Sequence, residues 1–86
     1  MSRVLSWDAE GWSDYLFWQL NDKAMLKRVN KLINEILRDP FSGIGKTEYL
    51  KENLTGLISR RINDEHRLVF KVYDDRILIV KCRFHY

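Results

Sequence analysis

The sequence predicts an α+β fold, with two N-terminal helices packed on one face of a mostly antiparallel, twisted sheet. Three observations carry this expectation. Apolar residues recur at helical spacing from Trp12 to Leu37, broken at Asn21-Asp22. Three runs of strand-like alternation follow, near residues 57–62, 66–73 and 77–86. Those runs are separated by Asn63-Asp64-Glu65 and Asp74-Asp75, connections short enough to be hairpins. Helices first and hairpin strands afterwards is the order of a sheet whose helices are segregated to one face.

Residues 3–7 read as a short first strand, with Val4 and Leu5 as its apolar content. Ser6 supplies a cap for the next helix, and Asp8 and Glu10 then fall in its first turn, where the helix dipole favours negative charge. Trp12, Tyr15, Leu16, Phe17 and Trp18 carry that helix to about Leu20. Asn21-Asp22 breaks it and provides a fresh N-cap. In the second helix Met25, Val29, Leu32, Ile33, Ile36 and Leu37 form one stripe, while Lys23, Lys27, Arg28, Lys31 and Asn34 fall elsewhere. Pro40 stops it, because the residue before a proline is pushed out of the helical region. With almost no linker, the two helices form a hairpin. Residues 40–47 are a loop. Its Gly43-Ile44-Gly45-Lys46-Thr47 invites a phosphate-loop reading, but the glycines stand two apart and follow a helix, so no nucleotide site is expected.

Alternation in the strands gives a sharper expectation. Leu68, Phe70 and Val72 form one apolar set, opposed by Arg67, Val69 and Lys71. In the last run Leu78, Val80, Cys82 and Phe84 are apolar, opposed by Lys81, Arg83 and His85. With both apolar sets against the helices, Phe70 pairs with Val80 across an odd-length turn around Asp75. Arg67, Lys71, Lys81, Arg83 and His85 then share the face that no helix covers.

Composition narrows the class. A chain of 86 residues is one domain, residues 1–86, burying roughly 60–65% of its unfolded surface around a modest core. Hydrophobic residues at 45% and aromatics at 13% argue against a disordered tail. The N-terminus has no apolar run suited to a signal peptide, and no stretch approaches the roughly 18 apolar residues of a membrane span. Cys82 is the single cysteine, which excludes an internal disulfide and a cysteine-built metal site. The expected location is the cytoplasm. The net charge of +3 is unevenly spread: residues 1–22 carry one base and four acids, and the remainder fourteen bases and eight acids. A basic C-terminal portion suits a polyanion or an acidic protein partner.

Metal-free RNA cleavage needs a base for the 2′-hydroxyl, cations for the phosphate and an acid for the leaving 5′-oxygen. Candidates for these roles are Glu48, between Lys46 and Lys51, then Arg67, and the terminal His85-Tyr86. Each has a bland alternative. On residue type alone Glu48 is more often a solvated surface acid, Arg67 reads as a surface cation or an ion-pair partner of Glu65 or Asp64, and a terminal His such as His85 is more often a frayed end. Arg60-Arg61 is either a phosphate clamp or one inward and one outward cation. His66 lies on the apolar parity, which favours a structural role, and Trp7, Trp12 and Trp18 read as core. The histidines do not stand at metal-ligand spacing, so neither a metal nor a cofactor is expected.

These residues also carry a family resemblance. The strings Trp12-Ser-Asp-Tyr15-Leu-Phe-Trp18-Gln, Asp39-Pro-Phe41-Ser-Gly43-Ile-Gly45-Lys46 and Glu48-Tyr-Leu-Lys51-Glu-Asn-Leu54-Thr-Gly56 belong to it. More specific are Ser59-Arg-Arg61-Ile-Asn-Asp-Glu-His66-Arg67-Leu-Val69 and the ending Cys82-Arg-Phe-His85-Tyr86. Nearly end to end, the chain resembles the YoeB toxins of the RelE superfamily. The resemblance implies a RelE-like, microbial-RNase-like fold. It implies a metal-independent endoribonuclease that cuts messenger RNA in the ribosomal A site, on the small subunit, leaving 2′,3′-cyclic phosphate and 5′-hydroxyl ends. Carried over by position, Glu48 is implied as the general base, His85 as the general acid and Arg67 as the charge stabiliser. Tyr86 would orient the RNA or the acid, and Lys46, Lys51, Arg61 and Arg83 would bind RNA. Implied partners are a YefM-like antitoxin, a second copy of the chain, and operator DNA when the antitoxin is present. Thr47 and Tyr49 flank Glu48 where the best-known members have prolines, which implies a looser loop around the base, and Leu57-Ile58 replaces a more aromatic pair, which implies a difference in packing more than in chemistry. The competing expectations are a non-catalytic RNA- or ribosome-binding module, or a co-repressor that only joins an antitoxin.

Overall fold

The computed structural model describes residues 2–41 and 47–86. Strand β1 (Val4–Trp7) leads into helix α1 (Ala9–Asn21) and helix α2 (Lys23–Arg38). Strands β2 (Thr47–Tyr49), β3 (Ile58–Arg61), β4 (Arg67–Val72) and β5 (Arg76–Lys81) follow, with a 3₁₀ turn over Glu52–Leu54. The sheet order is β1-β5-β4-β3-β2. Its β2–β3, β3–β4 and β4–β5 pairings are antiparallel, and β1 lies parallel to β5. The α+β expectation holds, with β2 as an added edge strand that three residues of sequence did not announce.

The helix boundaries follow local chemistry. Asp22 joins the helices, its side chain accepting from the Met25 N–H (3.1 Å) as the N-cap of α2. Helix α2 ends at Arg38, two residues before Pro40. Ser6 does not cap α1: its Oγ donates to Ile77 O (2.8 Å), and Asp8 stands at the N-cap without a side-chain bond. Met25, Val29, Ile33 and Ile36 are buried against Ile58, Leu68, Phe70, Ile77, Ile79 and Cys82, with Leu32 and Leu37 packed at the margin. Trp18 joins this core and Trp7 borders it, whereas Trp12 is 46% exposed, contrary to its expected burial.

The register of β5 is the main correction. Val72 faces Ile77, Lys71 faces Leu78 and Phe70 faces Ile79, so Ile77 and Ile79 face the core in place of Leu78 and Val80. The turn is even, with Tyr73 N–H bonded to Arg76 O, and the odd residue appears further along. A bulge between Val69 and Phe70 makes Val69 face Lys81, so Val80 is the extra residue. Beyond the bulge the expected parity returns: Cys82 is buried in the core and Lys81 is level with Val69. Periodicity reports which residues alternate. It does not report where one extra residue shifts the phase.

Candidate active site

On the face away from the helices, strand pairing builds two rows. Glu48 on β2 lies opposite Ser59 on β3, which lies opposite Val69 on β4. Next to this row, Arg61 lies opposite Arg67. Ser59 and Val69 are buried and form a floor, although Val69 is no part of the helix-facing core. Glu48 is therefore held by a strand, not by the looser loop expected from Thr47 and Tyr49, because those two residues pair with Arg60 and Ile58.

The C-terminal tail comes back over this floor. A cleft of about 240 Å³ is lined by Glu48, Leu50, Ser59, Arg67, Val69, His85 and Tyr86. A second cleft of about 350 Å³ shares Glu48, Ser59 and Arg67 and adds Thr47, Arg61 and Asp64. Residues 37 positions apart in the chain, Glu48 and His85, thus meet in one concavity with a cation between strand and tail. A larger hollow of about 750 Å³ runs along the polar face of α2, lined by Lys27, Arg28, Lys31, Arg38 and one carboxylate, Glu35. That lining suits an anion but contains no histidine to pair with the acid.

Arg67 is not an ion-pair partner of Glu65 or Asp64. Among the described residues its side-chain hydrogen bonds all run through Nη1, to the carbonyls of Asn63 (2.6 Å), His66 (3.1 Å) and Asp64 (3.4 Å). Carbonyls fix the guanidinium without cancelling its charge, which leaves a full positive charge for an anion. Asp64 pairs instead with Arg61. Arg60 turns into the core, fully buried, 5.8 Å above the Phe70 ring and donating to Pro40 O. Burial lowers its pKa, opposed by the nearby Glu35 and Asp39 carboxylates. Of the arginine pair, one is inward and one outward, and only Arg61 reaches a cleft.

The tail is hung on side chains from two directions. On α1, Asp14 Oδ2 accepts from Cys82 N–H (3.0 Å) and Trp18 Nε1 donates to Cys82 O (2.8 Å). Four residues apart, the two sit on one helical face. Burial raises the Asp14 carboxyl above its ordinary value, partly offset by the Cys82 N–H. It also pushes the Cys82 thiol up to about 12, with the Asp14 charge adding to the rise. At Phe84, φ is +60°, the left-handed region. There the N–H donates to His66 Nδ1 (2.7 Å) and the carbonyl accepts from Arg67 N–H (2.8 Å). His85 and Tyr86 follow, exposed, with His85 Nδ1 3.1 Å from Tyr86 O and the Tyr86 ring 4.6 Å from Lys81 Nζ.

Other expected residues stand elsewhere. Arg83 does not share this face: its guanidinium lies 3.5 Å over the Phe17 ring of α1, because the chain bends out of the sheet after Lys81. Lys51 is exposed at the start of the 3₁₀ turn and lines neither cleft. Lys46, with the rest of the Gly43–Lys46 string, lies outside the described residues. Asn63, Ser59 and Val69 were given no site role from sequence. Asn63 carried a usable signal: in Asn-Asp-Glu it can bond backbone two or three residues on, and its Oδ1 does accept from Glu65 N–H and His66 N–H.

Comparison with known proteins settles the family. The model of the YoeB-like toxins of bacterial type II toxin–antitoxin systems matches residues 7–86. The chain belongs to that family. The toxin YoeB of Escherichia coli (strain K12) is 55% identical over 82 residues, which is 95% of this chain and 98% of the relative. The structure of a YoeB dimer from Staphylococcus aureus superposes with a TM-score of 0.90 at 46% identity, covering 100% of both chains. A YoeB–YefM complex from the same organism gives 0.88 at 45%, again over 100% of each. The matched region of this YoeB-like chain takes in both helices, β2 to β5 and the tail, and so every described residue of the two clefts.

Proposed function

We propose that this chain is a toxin that acts as a metal-independent endoribonuclease on messenger RNA in the ribosomal A site. The observation that supports it is the meeting of Glu48, Arg67, His85 and Tyr86 around one cleft. Glu48 takes the 2′-hydroxyl proton as the 2′-oxygen attacks phosphorus. Arg67 stabilises the added charge on the phosphate. The P–O5′ bond breaks, and protonated His85 delivers a proton to the leaving 5′-oxygen. The products are a 2′,3′-cyclic phosphate and a 5′-hydroxyl end. Tyr86 orients the acid or the RNA, while Arg61, Lys46 and Lys51 contact flanking phosphates.

Relatives of this chain are named as a dimer and as complexes with YefM. On that ground the chain pairs with a YefM-like antitoxin, whose acidic segment covers the cleft and its cations, and can form a homodimer. With the antitoxin it binds operator DNA, and it works in the cytoplasm beside the ribosome.

The test is cleavage of a ribosome-bound message by purified protein in the presence of chelator, with cut ends mapped by primer extension. Wild type should cut within the A-site codon. Glu48→Ala and His85→Ala should each lose about 10²–10⁴-fold in rate. A folded wild type that binds ribosomes and leaves the message intact would favour a binding module, whose affinity rests on Lys and Arg and not on these two residues.

A further inference from the structure

Both backbone hydrogen bonds of Phe84, where the tail turns toward the cleft, run to one dipeptide, His66-Arg67. Phe84 sits in a left-handed conformation that bulky side chains disfavour, so its backbone must be held from outside. Two bonds hold it: Phe84 N–H to His66 Nδ1 at 2.7 Å, and Arg67 N–H to Phe84 O at 2.8 Å. The imidazole is itself immobilised. It is 8% exposed, edge-on to Trp18 at 4.8 Å and tilted against Phe84 at 5.5 Å.

An imidazole nitrogen accepts a hydrogen bond only when it carries no proton. The bond from Phe84 therefore places the ring proton on Nε2, which lies 3.5 Å from the Glu65 carboxylate. That neighbour favours the same tautomer. His66 O also accepts from Arg67 Nη1 (3.1 Å), so the residue that anchors the tail helps to anchor the cation.

We propose that His66 is a positioning residue for His85: its unprotonated Nδ1 locks Phe84 in the left-handed conformation and so sets His85 across the cleft from Glu48 and Arg67. The inference rests on the nuclease reading above for its catalytic consequence, though not for the bond itself. Packing alone does not give this role. A ring of similar shape without an acceptor fills the space between Trp18 and Phe84 but leaves the Phe84 N–H without its partner.

Two measurements test it. In ¹⁵N-labelled wild-type protein, a scalar coupling across the bond between the Phe84 amide nitrogen and His66 Nδ1 should be visible. In His66→Phe, residues 84–86 should gain fast backbone motion. No coupling, or a tail as ordered in His66→Phe as in wild type, overturns the proposal. On ribosome-bound message, His66→Phe should lower kcat by about 10²-fold with little change in KM, as expected for an acid displaced by about 1 Å. His66→Asn restores an acceptor near the Nδ1 position and should recover to within about tenfold of wild type. A His66→Asn protein as poor as His66→Phe, or a His66→Phe protein with full kcat, overturns it. Should His66→Phe fail to fold, the wild-type coupling and His66→Asn turnover still decide. A wild type that shows the coupling but cuts no message refutes the nuclease reading and leaves the tail clamp standing.

Discussion

Gly11 lies where α1 crosses β5, and a methyl group there has nowhere to go. An ideal Cβ at this position would stand 2.4 Å from Ile79 O and 3.0 Å from Ile79 C, both backbone atoms that no rotamer change can move. Ordinary contact begins about 1 Å further out, so Gly11→Ala must lift α1 from the strand by about that much. The lift stretches the Asp8 N–H to Ile79 O bond (2.9 Å) and the two bonds from Asp14 and Trp18 to Cys82. Overpacking of this kind costs about 1–3 kcal/mol, and each weakened bond adds up to about 1 kcal/mol. Against this stands a gain in helix propensity of about 1 kcal/mol. At the middle of these ranges the clash wins, leaving a net loss of about 2–3 kcal/mol and a fall in Tm of roughly 10–25 °C for a domain of this size. Thermal unfolding by circular dichroism should show it, with exposed Ser13→Ala as the helix-propensity control. A Gly11→Ala protein with unchanged or raised Tm would refute the close approach. Because α1 carries the two anchors of Cys82, the same substitution should also loosen the tail that bears His85.

Three further outcomes follow from the site. Asp14 binds its proton more tightly in the folded than in the unfolded chain, so its contribution is present below the ordinary value of 3.8 and is lost as pH rises through the raised folded value. Asp14→Asn keeps an oxygen for the Cys82 N–H and should flatten that loss when urea midpoints are compared across the acid range, whereas Asp14→Ala should cost about 1–3 kcal/mol at all pH values. The Cys82 thiol, raised to about 12 and fully buried, should react with iodoacetamide at mildly alkaline pH roughly 10³-fold more slowly than in urea-unfolded chain, so that labelling reports unfolding. Arg67→Lys should fail nearly as badly as Arg67→Ala, losing about 10²–10³-fold in cleavage, because an ammonium cannot span the Asn63 and His66 carbonyls while presenting a fork to phosphate. Equal activity of the lysine variant would refute that division of labour.

Helix α2 was legible in the sequence because a complete apolar stripe bounded by Asp22 and Pro40 admits one reading. The site was legible in part. The rows that bring Arg67 and Lys71 to the open face follow from alternation in β4, which has no irregularity within it to disturb the phase. Strand β5 was misread because leucine, isoleucine and valine occupy consecutive positions 77–80, so both faces look apolar and the bulge opposite Val69 leaves no compositional trace. Strand β2 was invisible for a different reason. Three residues carry almost no periodicity, and their strand character comes from pairing with β3. Arg83 was placed by extending β5 beyond Lys81, whereas the left-handed Phe84 ends the alternation and Phe17 receives the guanidinium. That turn could not be foreseen from a phenylalanine, since the partners of its backbone are His66 and Arg67, 17–18 residues away at the start of β4.

In the proposed reaction Glu48 and His85 serve opposite ends of one displacement, and a substrate altered at a single atom separates them. A ribosome-bound message carrying sulfur in place of the bridging 5′-oxygen at the cut site has a leaving group that departs without a proton. On that message His85→Ala should cut at nearly the wild-type rate, while Glu48→Ala should remain slow by about 10²–10⁴-fold. Sulfur that rescues neither variant, or rescues Glu48→Ala in place of His85→Ala, would contradict the assignment of base and acid.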